Sequence, residues 1–295
     1  MKIAAATPEL MGLPVATIAA IIAGMSFVIA TCALAWQVSK HMLDGGRVRV
    51  SLNAAAWELG HSFRVNRSGI WELSGELGNT SMEVAQLVVE NPGRAAVTVY
   101  SPSLAIYGTA KRKYAVTPRT FQLEGYGIDD ATTDMVVRID PYHRVSFILD
   151  YWSVIPEELS ESKGSGIVVR GAVSVAGKKG ARKSSRRRAW KIRRGAWTAY
   201  KIQSNPSPRG IMWREIHRMC TTTQQQESAM RLQWVLIRAM REFNERPSRE
   251  EFSAAFVRLA GEERETELPL LMLAHNMHEA LERHPGVIAD WRSGI

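Results

Sequence analysis

The stretch MEVAQLVVENPGRAAVTVYS, Met82 to Ser101, decides how the rest of the chain is read. Two runs rich in β-branched residues flank Asn91-Pro92-Gly93. Proline presets φ for a turn and glycine accepts positive φ, so the stretch predicts a β-hairpin. Val84, Leu87, Val89, Val97 and Val99 are the candidate inward face. Alternation fails at Leu87-Val88-Val89, which fits a bulge or a strand buried on both faces.

Working outward, further strand candidates stand at Arg47–Leu52, Gly69–Ser74, Thr120–Leu123, Arg144–Leu149 and Gly166–Val175. Arg47-Val48-Arg49-Val50-Ser51-Leu52 alternates with the period of a half-buried strand. Many short strands separated by turn signals predict a sandwich or barrel over residues 47–200. Trp57, Trp71 and Trp152 fall in this body and are read as core or edge packing.

The valine-rich strand, Asn91-Pro92-Gly93-Arg94 and Ala96-Val97-Thr98-Val99 together resemble the second hairpin of immunoglobulin-like domains found in single-pass membrane proteins of actinobacteria and their phages. Ile167–Val175, followed by a basic segment and Trp190-Lys191-Ile192, is similar to the end of such domains. The resemblance spans roughly Arg47–Ile192. It implies an immunoglobulin-like β-sandwich on a membrane anchor, with a phage or prophage association, and it carries over no catalytic residue.

Ahead of this body, residues 15–38 carry no charge: VATIAAIIAGMSFVIATCALAWQV. A bilayer core of roughly 30 Å needs about 20 apolar residues in a helix. The stretch predicts one transmembrane helix after a short tail, 1–14, with Trp36 as an interfacial anchor. Competing readings are a buried core helix, a signal peptide cleaved after Ala35, and a lipoprotein signal ending at Cys32. Ala16, Ala20 and Gly24 share one helix face, a spacing that suits pairing of helices into a homodimer. Lys2 is the only basic side chain before the stretch, whereas Lys40, Arg47 and Arg49 follow it. That asymmetry predicts a cell-membrane protein whose C-terminal bodies are cytoplasmic.

The net charge of +9 is uneven. From Ser39 to Asn205 basic residues exceed acidic ones by about ten, and beyond Pro206 the signs nearly cancel. The basic segment 177–201 contains Lys178, Lys179, Arg182, Lys183, Arg186, Arg187, Arg188, Lys191, Arg193 and Arg194 without an acidic residue. Beside an anchor, this run suits anionic lipid head groups, each residue contributing about 1 kcal/mol. The alternative is a nucleic acid, with Trp190, Trp197 and Tyr200 stacking on bases. The bland alternative is a solvated loop ending in a strand at Ala189–Ile192.

Residues 201–210 form a turn-rich linker to a helical domain, 211–295. Helices are predicted over Ile211–Gln226, Glu227–Asn244, from a Ser248/Glu251 capping box, and over Leu268–Leu281. Such a bundle suits contact with another protein. Two cysteines, Cys32 and Cys220, provide no disulfide framework. His217, His275, His278 and His284 complete no metal motif, and no nucleotide loop or nucleophile elbow occurs. The expectation is a membrane-anchored α+β chain without catalytic, cofactor or metal residues, acting by binding. A nucleic-acid-binding membrane protein stands second, and an enzyme third.

Overall fold

The computed structural model describes residues 9–10, 13–58, 62–66, 72–73, 81–109, 114–121, 123, 128, 131–151, 154–162, 164–193, 201–202, 207–219, 223–262, 269–283 and 290–292. Trp71, Trp152, Arg194, Trp197, Tyr200 and Cys220 lie outside them. The chain is α+β: an apolar N-terminal helix, two larger antiparallel sheets, two short two-stranded pairings (Glu9–Leu10 with Leu13–Pro14, and Glu72–Leu73 with Lys201–Ile202), and a C-terminal layer of helices.

Helix α1 covers Val15–Asp44. Its span Val15–Lys40 is long and apolar enough to cross a membrane, and none of its most apolar window is buried within the chain. A core helix would be buried, whereas the apolar window of this one is covered by none of the described residues. Thr31 donates its hydroxyl to the Phe27 carbonyl at 2.8 Å, which satisfies its polar atom inside the helix. Ala16, Ala20 and Gly24 are exposed along it.

The first sheet contains β1 (Arg49–Glu58), β2 (Ser62–Asn66), β3 (Ser81–Glu90), β6 (Thr120–Phe121) and β8 (Arg144–Leu149), in the order β2-β1-β3-β8-β6. The second contains β4 (Val97–Tyr107), β5 (Tyr114–Val116), β7 (Val136–Ile139), β9 (Gly166–Val175), β10 (Arg182–Lys183) and β11 (Trp190–Arg193). Here β4 lies between β7 and β9, β5 pairs with β4, and both β10 and β11 pair with β9. The sheets pack face to face. Leu52, Ala54, Leu87, Val89 and Phe147 from the first share a core with Val99, Leu104, Val169 and Val173 from the second. Gly171 permits the closest approach: a Cβ there would lie 2.3 Å from the Leu87 Cδ1.

The predicted hairpin at Asn91-Pro92-Gly93 is corrected. β3 pairs with β1 and β8, whereas β4 pairs with β5, β7 and β9. The connection crosses from one sheet to the other. Gly93 does not adopt positive φ among the described glycines; its lack of a side chain serves a close packing contact described below. Of the expected inward face, Leu87, Val89 and Val99 are in the inter-sheet core, but Val84 faces the helices. β3 is indeed buried on both faces over most of its length.

After the short α2 (Ile155–Ser160), the C-terminal helices are α3 (Pro208–Met219), α4 (Thr223–Arg241), α5 (Arg249–Glu262) and α6 (Leu270–Arg283). α3 begins inside the expected linker. Ser207 accepts a hydrogen bond from the Gly210 N–H at 3.1 Å, and Pro208 occupies a first-turn position that needs no N–H donor. The break between the first two helices lies before Thr223, not at Gln226. The Ser248/Glu251 capping box forms reciprocally, at 2.9 and 3.2 Å. The helices share one apolar core with the first sheet: Met212, Ile216, Leu236, Phe252 and Met277 pack with Ala55, Trp57, Met82, Val84 and Ile148.

Buried ion pairs tie this layer down. Arg214 on α3 grips Glu83 on β3 with Nε to Oε2 at 3.0 Å and Nη2 to Oε1 at 2.9 Å, both side chains almost fully buried. Arg218 pairs with Asp150 at 2.9 Å and also with Glu215. His217 sits edge-on to Trp57 and Trp213, with ring centroids 5.2 and 4.8 Å away. Complete burial lowers its pKa to about 3, so its ring is neutral and its Nδ1 lies 3.1 Å from the Trp213 carbonyl.

Candidate functional site

The end of the sandwich next to α1 is built around Asn91, which is fully buried. Its side-chain oxygen accepts from the Arg47 N–H at 3.2 Å and the Gly93 N–H at 3.1 Å. Its amide donates to the carbonyls of Ala95, Ile139 and Asp140 at 2.9–3.2 Å. Its backbone N–H donates to His143 O, and its carbonyl accepts from Tyr142 N–H. One side chain therefore joins the helix exit, the inter-sheet connection and the β7–β8 turn. A Cβ on Gly93 would fall 2.3 Å from Gly45 O and 2.7 Å from Arg47 N, so only glycine fits against the exit segment. Arg94 completes the clamp: hydrogen bonds with Tyr142 and then Asp44 raise its pKa above the ordinary arginine value.

This end is basic. Arg49, Glu90 and Arg144 form the first cross-strand row beyond the clamp. The β9–β10 turn reaches the same end, because Ala176 N–H donates to Thr98 O. That turn carries exposed Lys178 and Lys179 between Gly177 and Gly180, whose φ angles of 72° and 78° suit glycine.

The remaining basic residues are divided. β10 and β11 are one interrupted strand against β9: Val173 faces Arg182, and Val169 faces Trp190. Between them the chain leaves the ladder, and Arg186–Arg188 form a 3-10 turn. Arg170 anchors this excursion by donating Nε–H to the Ser184 carbonyl at 2.7 Å, and the Ser184 hydroxyl accepts from Gly171 N–H. Lys183 lies over the Tyr107 ring at 5.4 Å. Burial would raise the Tyr107 hydroxyl, but the hydrogen bond from Lys183 and the charge of Arg170 outweigh it and lower its pKa. Lys191 and Arg193 alternate with buried Trp190 and Ile192, and so project from the outer face of the second sheet. Trp190 packs edge-on against Tyr151 in the core, so the expected stacking role does not hold for it.

Arg182, Arg187 and Arg188 instead face the first sheet. With Val48 and the β1 residues Arg49–Asn53 they line a groove of about 490 Å³. A second depression, of about 420 Å³, continues across the outer face of the first sheet. Its rim carries Arg49, Arg144 and Arg188; its floor includes Ser51, Asn53, Gln86 and Ser146. Asn53 Nδ2 donates to Gln86 Oε1 at 3.1 Å, leaving the Gln86 amide hydrogens directed elsewhere. Ser146 is fully buried, and its hydroxyl has no hydrogen-bond partner among the described residues.

The basic run was legible in the sequence, but Arg49, Arg144, Gln86, Ser146 and Asn91 were not singled out for this role. The available signal was polar residues at outward positions on central strands, where an apolar covering is expected. The chain matches no family model, no curated protein and no solved structure in these comparisons.

Proposed function

We propose that this is a single-pass, membrane-anchored interaction protein that acts by binding rather than by catalysis. The observation that carries the reading is the clamp at Asn91, which fixes a membrane-length helix directly to the basic end of the sandwich. Lys178 and Lys179 then sit at the level of the helix exit, where anionic head groups attract them over a Debye length of about 8–10 Å. The positive charge after the helix supports a cytoplasmic body. Strand order supports the immunoglobulin-like reading: β1-β3-β8 on one sheet and β7-β4-β9-β11 on the other follow the A-B-E and C′-C-F-G arrangement. A phage or prophage setting rests on the resemblance of that domain. The helical layer offers a protein-contact surface, with Met230, Trp234, Leu271 and Met272 exposed on α4 and α6.

Alkaline extraction of membranes and protease treatment of intact cells test the anchor and its direction. The full chain should stay in the pellet and resist external protease; release by alkali or digestion of residues 47–295 from outside rejects the reading. In lipid nanodiscs, anionic lipid should slow hydrogen exchange over residues 176–180, and Lys178→Glu with Lys179→Glu should abolish that effect. Nucleic-acid binding is the second reading, favoured by the Arg182–Arg188 groove. It requires RNA or DNA binding that falls steeply with salt and is lost when Arg186–Arg188 become alanine.

A further inference from the structure

We infer that the depression on the first sheet is a binding site for a phosphorylated polyol, with the phosphate held by Arg49, Arg144 and Arg188 and the hydroxyls by Ser51, Gln86 and Ser146. The arginines come from three separate elements, β1, β8 and the 3-10 turn, and meet at one rim. Guanidinium groups match phosphate oxygens in planar, paired hydrogen bonds. Glu90 is the cross-strand partner of both Arg49 and Arg144 and is the acid of the site; in the bound form it would accept from a ligand hydroxyl while the guanidinium groups turn to the phosphate.

The floor explains why the ligand is more than an anion. A cavity of about 420 Å³ exceeds a phosphate and has room for a sugar-sized group. Its neutral polar side chains both donate and accept, as a polyol does. The Ser146 hydroxyl is buried on the outward-facing side of β8 without a partner among the described residues. An orphan buried hydroxyl is destabilising, and a ligand hydroxyl supplies the missing bond. The outer face of the neighbouring half-sheet is sealed by helices, whereas no helix covers this half among the described residues.

The ligand has two sources, a free sugar phosphate or a phosphorylated inositol head group within reach of the helix exit. Calorimetry on the full chain in detergent, with myo-inositol 1-phosphate, myo-inositol and inorganic phosphate, tests the first. Hydrogen exchange over residues 184–189, in nanodiscs containing phosphatidylinositol 4-phosphate or phosphatidylserine, tests the second. Arg188→Gln, in an exposed turn, should weaken the response to the phosphorylated probe about tenfold. Ser146→Ala should weaken it several-fold while leaving the fold intact. Binding of the soluble probe assigns a free ligand. Protection in phosphoinositide discs alone assigns a lipid. The inference is overturned if unphosphorylated inositol binds equally and phosphatidylserine protects equally, or if both variants respond like the parent chain. It is independent of the lipid-surface reading: Lys178→Glu with Lys179→Glu should leave binding of the soluble probe unchanged.

Discussion

The outer face of the first sheet has two halves that share the same strands but meet different surroundings. Toward the helices, outward positions are Ala55, Trp57, Met82, Val84 and Ile148, and all are buried in the helical core. Toward α1, the same strands line an open depression with Arg49, Ser51, Asn53, Gln86, Glu90, Arg144 and the fully buried Ser146, and Val88 is the one apolar residue they contribute to it. The parity of side chains is unchanged along each strand; only the chemistry switches. The switch falls between Asn53 and Ala55, between Val84 and Gln86, and between Ser146 and Ile148. The helical layer covers the part of the sheet whose side chains exclude water, and the remaining part is available to a polar ligand.

Substitutions should separate the halves by size of effect. The largest is expected at the covered half. Glu83→Ala leaves Arg214 buried without its carboxylate and should cost about 3–5 kcal/mol in denaturant unfolding. At the end next to α1, Asn91→Ala strands several buried backbone groups and should cost on the order of 3 kcal/mol by the same measurement. His217 makes the covered half sensitive to acid. Below the ordinary value of 6.5 the unfolded imidazole takes a proton, while the folded ring stays neutral until about pH 3. Stability is therefore complete above about pH 6.5 and falls as pH drops toward the folded value, by about 3 kcal/mol at about pH 4. Denaturant midpoints measured across that range should show the slope, and His217→Gln should flatten it. The smallest effect belongs to the open half: Ser146→Ala removes an unpartnered buried hydroxyl and should leave stability unchanged or raise it by up to about 1 kcal/mol. A large loss there would erase the contrast between the halves.

Much of the fold was legible where local pattern and tertiary environment agree. Arg144–Leu149 and Gly166–Val175 are strands over the expected residues. The capping box at Ser248 forms, since its chemistry is local. Ser62–Asn66, Tyr114–Val116 and Val136–Ile139 were missed because such short strands show too little alternation to separate from loops. Asn91-Pro92-Gly93 misled for another reason. A turn sequence between two β-rich runs does not reveal whether the runs pair or lie in opposite sheets. The answer depends on Asn91 bonding to Arg47, Ile139 and Asp140, residues distant in sequence. The candidate site was half visible for a similar reason: the arginine run is contiguous, whereas Arg49, Gln86 and Ser146 become neighbours only through strand register.

The connection between α1 and the sandwich also has a mechanical meaning. Residues 45–48 separate helix from strand, and Asn91, Gly93 and Arg94 hold that segment from one side. Rotation or tilt of α1 would then pass to the sheets as torque rather than be dissipated in a swivel. If two copies paired through Ala16, Ala20 and Gly24, the angle between their helices would set the angle between their bodies. The joint would then act as a rigid crank, and lengthening it with flexible residues would uncouple the two motions.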